Sequence, residues 1–272
     1  MDFDISYASF DDITAPAILY KYRQWDKVIH RTILSQNTVY LAAPSSFEDE
    51  KELRNYKRYD LLTDAQIYNQ YLKLSHERNK YFSRAEHRKH ARDWKKKNNL
   101  KDAKHTKNWQ ENFFKEYDRR VGILSLTQYN AELTMWNYYS DNGKGFCVGF
   151  DTSILFRFMG GGCEVNYPEA GLPVIYANDE APVVRWKQFY NKELKWEFEK
   201  EYRVDKFLED GFTDADRIII LPKQCIKEVI FGWQMPAEER QELINTCEQN
   251  SLQVDYYETI LNDNLSIIPL PE

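Results

Sequence analysis

Seven residues from Val121 to Thr127 (Val-Gly-Ile-Leu-Ser-Leu-Thr) are apolar except for two hydroxyls, the pattern of a strand buried on both faces. Phe146 to Phe150 repeats that pattern after the turn Asp141-Asn142-Gly143-Lys144-Gly145. Residues 18–25 alternate in part, as a strand would, and Val39-Tyr40-Leu41-Ala42 reads as a short strand closed by Pro44-Ser45-Ser46. Further strands are predicted at 174–176, 217–221, 229–232 and 254–257. Helical patterns cover 26–36, a long region from about 63 to 120, the aromatic stretch Glu132 to Tyr139, Pro182 to Glu193, and Ala237 to Asn250 with Leu243, Ile244 and Cys247 inward. Six or more strands thus mix with helices in no regular βαβ alternation. The expectation is an α+β fold with a mixed, largely antiparallel sheet. Residues 1–272 read as one domain carrying a helical insertion over 60–120.

The strictest alternation in the chain is Trp196-Glu197-Phe198-Glu199-Lys200-Glu201-Tyr202-Arg203-Val204. As a strand it would place Glu197, Glu199 and Glu201 in a row, with Arg203 beyond them, and turn Trp196, Phe198, Tyr202 and Val204 toward the core. Crowded carboxylates on a site face raise one another's pKa and suit acid/base or cation-stabilising work; on an exposed edge strand they are only a solvated face. Ser125 and Thr127 would share one face of their strand, where two buried hydroxyls need partners.

Composition narrows the class. Aromatic residues make up 15% of the 272 residues, which excludes a disordered chain. No stretch of 18 apolar residues is present, so no membrane-spanning helix is predicted. The start, Met1-Asp2-Phe3-Asp4, is acidic and shows no secretory pattern. The cysteines Cys147, Cys163, Cys225 and Cys247 have neither zinc-site nor redox-pair spacing, and read as reduced thiols of a cytoplasmic protein. No phosphate-binding glycine loop, dinucleotide fingerprint or zinc-protease motif occurs.

The net charge of −6 hides an asymmetry: from His76 to Lys107, 12 Lys/Arg face four acids. The block has neither proline nor glycine and carries Tyr81, Phe82 and Trp94 among its charges, with Trp109 two residues beyond its end. It reads as a solvated helical hairpin, as a docking face for an acidic protein, or as a phosphate-binding surface with Arg88, Arg92, Lys95, Lys96 and Lys97 as the nucleic-acid contacts and aromatics to stack on bases. His87 and His90, without a third ligand nearby, read as surface residues rather than a metal site.

The motifs Leu19-Tyr20-Lys21-Tyr22-Arg23, Ile123-Leu124-Ser125-Leu126-Thr127, Met135-Trp136 followed by Tyr139, Gly143-Lys144-Gly145-Phe146, and Trp196 to Arg203 resemble a bacterial family of unknown function, number 2971 in the domain-of-unknown-function series. The order Arg23, Ser125-x-Thr127, Glu199-x-Glu201 is also similar to the arginine, serine, glutamate series of ADP-ribosyltransferases, with Ser-Leu-Thr in place of Ser-Thr-Ser. That resemblance implies an ADP-ribosyltransferase-like sheet and NAD as substrate, with no metal required. Arg23, flanked by Tyr22, would grip the diphosphate. Ser125 and Thr127 would shape the nicotinamide-ribose pocket, and Trp136, Tyr138 or Tyr139 would stack on nicotinamide. Glu201 would stabilise the oxocarbenium-like transition state, while Glu199 orients or deprotonates the acceptor. It further implies a toxin or defence effector that modifies nucleic acid or protein, with an antitoxin or other inhibitory protein as partner. Two alternatives stay open. One is a Mg-dependent nuclease built on Glu193-Leu194-Lys195 and Asp179. The other is a non-catalytic nucleic-acid-binding protein.

Overall fold

The computed structural model describes residues 14–49, 51–97, 99–209 and 212–270; the acidic N-terminus and Glu50 lie outside them. In chain order the elements are β1 (Ile18–Arg23), α1 (Val28–Ser35), β2 (Thr38–Tyr40), β3 (Lys57–Arg58), α2 (Asp64–Arg78), α3 (Arg84–Lys97), α4 (Ala103–Arg120), β4 (Val121–Thr127), α5 (Leu133–Tyr139) and β5 (Phe146–Asp151). There follow α6 (Thr152–Met159), β6 (Cys163–Glu164), β7 (Ile175–Tyr176), α7 (Ala181–Phe189), β8 (Glu201–Phe207), β9 (Ile218–Ile220), β10 (Ile226–Phe231), α8 (Ala237–Gln249), β11 (Asp255–Leu261) and β12 (Leu265–Pro269).

An eight-stranded sheet in the order β12-β11-β10-β5-β1-β4-β8-β6 organises the molecule. It is antiparallel except for the β10–β11 pair. Its two faces follow from the side-chain period of two. Leu19, Leu124, Leu126, Val148, Val204 and Val229 turn to the main core under α1, α6 and α8. Tyr20, Tyr22, Cys147 and Ile230 turn to a smaller cluster closed by Met135 and Trp136 of α5. The fold is therefore α+β with a largely antiparallel sheet.

One irregularity in this sheet makes the site. β1 pairs with β5 along its whole length, but with β4 the only aligned pair is Tyr20↔Thr127. Beyond it the two strands separate, and Lys21 Nζ reaches across to donate to the Ser125 carbonyl at 2.5 Å. The far end of β1 is held by a close approach: a Cβ at Gly145 would overlap the Arg23 carbonyl oxygen. Gly145→Ala is expected to cost about 1–3 kcal/mol, the range for overpacking, read as a lower urea midpoint at unchanged m-value.

The helical region expected over 63–120 consists of three helices, α2, α3 and α4. Thr63 starts α2 with a reciprocal capping box to Gln66, and Asp102 starts α4 by accepting from the Lys104 and His105 amides. This insertion has its own small core of Tyr59, Leu62, Ile67, Tyr71 and Ala91. It is tied back through Arg54–Asp118 (2.6 Å), through Gln110 accepting from the Lys57 amide, and through Tyr117 against Phe189. His87 is not a surface residue. It is buried, its Nδ1 bonds the Ser75 hydroxyl, and its ring lies 3.7 Å from that of His76. The helix pattern explains this, since His87 and Ala91 share the inward face of α3.

Candidate active site

Where β1 and β4 part, a cavity of about 440 Å³ opens, within the range of small-molecule sites. Lys21 and Arg23 belong to the main-core face of β1, and Ser125 and Thr127 to the opposite face of β4. All four line this one cavity because the sheet is split there. Glu52, Lys192, Glu199 and Glu201 close one side. His30 of α1 and the apolar Ile29, Tyr40 and Ile218 line another part.

The carboxylate side is a closed network. Arg203, 0% exposed, donates from Nε to Glu201 Oε1 (2.7 Å), from Nη2 to Glu201 Oε2 (2.8 Å) and to Glu52, and from Nη1 to the Phe189 carbonyl (2.8 Å). Lys192 Nζ bonds Glu199 and stands 3.4 Å from both Glu201 and Glu52. Tyr139 donates to the second Glu199 oxygen at 2.6 Å. Three acids thus share two cations. Burial alone would raise the Glu201 carboxyl, but the charges of Arg203 and Lys192, with hydrogen bonds from Arg203 and Ser125, hold it down at about 2. Glu199 is pushed the other way, first by burial and then by the Glu201 charge. Glu52 is raised as well, by burial ahead of all else. Two neighbouring carboxyls driven apart in this way separate a permanent anion from a group able to exchange a proton.

The β1 side is cationic. Arg23 makes no ion pair among the described residues; its Nη1 donates to the Tyr22 carbonyl at 3.3 Å. Burial lowers it to about 10. Burial, and then the Arg23 charge, push the Lys21 ammonium well below its ordinary range. The same two causes take His30 down to about 4, so it is neutral near pH 7.

Several expected residues take other places. The 196–204 segment is not one strand. Leu194–Glu199 is a 3₁₀ helix, Lys200 takes a left-handed conformation (φ 38°), and the strand begins only at Glu201. The row Glu197, Glu199, Glu201 therefore does not exist: Glu197 is exposed and pairs with Lys200 at 2.7 Å. Glu199 and Glu201 still meet, because the turn folds one back beside the other and Lys192 bridges them. Trp196, expected in the core, instead lines the cavity and donates Nε1 to Asp49. Trp136, expected to stack on nicotinamide, is 0% exposed in the aromatic cluster and donates Nε1 to the Asn130 carbonyl. Tyr22 packs edge-on against Trp136 and commits its hydroxyl to the Tyr129 carbonyl. Tyr138 is exposed and bonds Glu48, which leaves Tyr139 as the α5 aromatic at the cavity. The Thr127 hydroxyl accepts from the Tyr129 amide, whereas Ser125 serves Glu201.

Compared with family models, curated proteins and solved structures, the chain matches none of them. The resemblances given above therefore rest on the quoted motifs alone.

The nuclease residues stand in separate pairs: Asp179 holds Lys187 Nζ at 2.7 Å and Glu193 holds Lys195. Among the described residues no group of three His, Cys, Asp or Glu could hold a metal ion. No described helix is long and apolar enough to cross a membrane. Arg88, Arg92, Lys96 and Lys97 are exposed on α3, Lys95 pairs with Asp64 at 3.0 Å, and none of them lines the cavity. Sequence reasoning missed Lys21, Glu52 and Lys192. Glu52 and Lys192 carry no spacing signal, and Arg203 was visible only as the residue two beyond Glu201.

Proposed function

We propose that the cavity binds NAD and that the protein is an ADP-ribosyltransferase acting on a macromolecular acceptor. The observation that carries this reading is the polarity of the cavity. A half-buried guanidinium, without a counter-ion among the described residues, stands on one side, and an anion fixed by Arg203 on the other. An unpaired cation partly withdrawn from water is costly, and a dianionic diphosphate would relieve that cost. A guanidinium fork suits such a group better than an ammonium. At the opposite side, Glu201 would face the ribose as the bond from C1′ to the nicotinamide nitrogen breaks. Both electrons of that bond leave with nicotinamide, which becomes neutral, and positive charge develops on the ribose. A preorganised carboxylate stabilises that charge without reorganising. The acceptor then forms its bond to C1′ and gives up a proton, for which Glu199, raised above its ordinary range, is the base.

The direct test is incubation of the protein with labelled NAD and, separately, RNA, DNA and protein extract, following nicotinamide release and label transfer. Release together with transfer is expected; no release with any acceptor would overturn the reading. The base assignment makes a further prediction. Glu199 is competent only when ionised, so on the acid side the transfer rate should climb with pH through a midpoint above 4.5, its ordinary value. Glu199→Gln should be slower and lack that limb. Persistence of the same limb in Glu199→Gln would remove Glu199 from this role.

A further inference from the structure

The basic insertion resolves into something narrower than a charged block. On α3, seven Lys/Arg stand against two acids. Residues four apart lie side by side along a helix, so Arg84, Arg88, Arg92 and Lys96 form one continuous stripe with a length of about 18 Å at 1.5 Å rise per residue. All four are exposed, and none makes an ion pair among the described residues. The inward face of the same helix carries His87, Ala91 and Trp94, so the stripe points to solvent. Lys95 and Lys97 are drawn off it, the first to Asp64 and the second over the Trp94 ring at 4.1 Å. At the N-terminal end of the stripe, in the turn before α3, Tyr81 is fully exposed (101%).

From these features we infer that the exposed face of α3 binds single-stranded nucleic acid. The stripe tracks the phosphates and Tyr81 offers a stacking platform for a base. A run of unpaired cations alone would serve an acidic peptide equally well. The fully exposed aromatic at its end favours a strand with unpaired bases, because a peptide carboxylate gains nothing from a ring face while every base does. A duplex would offer phosphates but keep its bases stacked out of reach. This inference deepens the transferase reading, on which it rests for the statement that the bound strand is the acceptor; the binding itself is measured without NAD.

The test is fluorescence anisotropy of the whole protein with a labelled single-stranded 15-mer RNA or DNA, the corresponding duplex, and poly-glutamate, over a range of salt. Single strands are expected to bind best. Four released counter-ions on a single strand give a log–log salt slope of about −2.8, or a loss of about fifty-fold between 50 and 200 mM salt. The R84Q/R88Q/R92Q/K96Q protein should lose that share of the slope, and Tyr81→Ala should bind the single strand about tenfold more weakly with the slope unchanged. All five positions are exposed, and circular dichroism of each variant confirms that α3 persists. An unchanged affinity and slope in the quadruple variant would overturn the inference. So would poly-glutamate or duplex binding as tight as that of the single strand. A protein that binds the strand but never releases nicotinamide would fail the transferase reading alone, and the converse result would fail this one alone.

Discussion

Arg203→Ala is expected to destabilise the fold by about 3–5 kcal/mol, the cost of removing one partner from a buried ion pair. Arg203 is the largest fully buried cation in the described structure, and every arm of its guanidinium is used. Its loss leaves Glu201 and Glu52 buried with only Lys192 between them, and strips a hydrogen bond from the Phe189 carbonyl. Arg203→Lys should recover little, because an ammonium cannot fork to two carboxylates and a carbonyl at once. Urea unfolding at pH 7 measures the effect; a loss under about 1 kcal/mol at unchanged m-value would mean that the network does not depend on Arg203. The same pair sets part of the acid sensitivity. Glu201 has its pKa lowered on folding, so its contribution is complete above its ordinary 4.5 and drains away as pH falls toward 2. Glu199 and Glu52 are raised and act with the opposite sign, favouring the folded state in acid and losing that contribution as pH rises through their raised values. The difference between wild type and Glu201→Gln across pH 4.5 to 2 therefore isolates the Glu201 share, and it should shrink toward zero at the acid end.

Elements whose burial is set by a single local pattern were legible from the chain. β4 and β5 are near-continuous apolar runs, and α8 shows its inward Leu243 and Cys247 at helical spacing. The turn at 194–200 was not legible. Its polar and apolar residues alternate as a strand's would, and the choice of a 3₁₀ turn comes from outside the segment: Lys192 and Tyr139 bond Glu199, and the Tyr167 hydroxyl accepts from the Glu201 amide. Tertiary partners override a local strand preference whose whole scale spans only about 1 kcal/mol. The hairpin of β11 and β12 went unseen beyond Tyr257 because β12 is a short edge strand that ends in proline. The lining of the candidate cavity was legible where its residues sit on strands whose order the chain reveals, as with Arg23, Ser125 and Glu201. Lys192 and Glu52 come from loops and carry no periodic signature. The split between β1 and β4, which makes a cavity of these residues, is a property of register that no single segment encodes.

Glu201→Gln should lower the turnover of nicotinamide release by about 10²–10³-fold, the loss seen when one preorganised electrostatic group is removed from a transition state. The substitution keeps the shape of the side chain, but it removes the charge and turns one of the two oxygens that accept from Arg203 into an NH2 donor, so its stability is measured beside its rate. If Glu201 acts on positive charge that develops during bond breaking, kcat should fall and KM should hold, because the interaction is made in the transition state alone. Arg23→Ala should behave in the opposite sense. A diphosphate grip is present before and during reaction, so KM should rise about tenfold or more, with kcat less affected. The two substitutions thus separate the ends of the cavity by kinetics. A folding defect cannot imitate the pattern, since loss of folded protein lowers kcat in both variants and shifts KM in neither. Equal falls in kcat with unchanged KM in both would point to damaged folding, which the urea midpoints of the two proteins would reveal. A Glu201→Gln protein that releases nicotinamide at the wild-type rate would show that the charge held by Arg203 serves the fold alone.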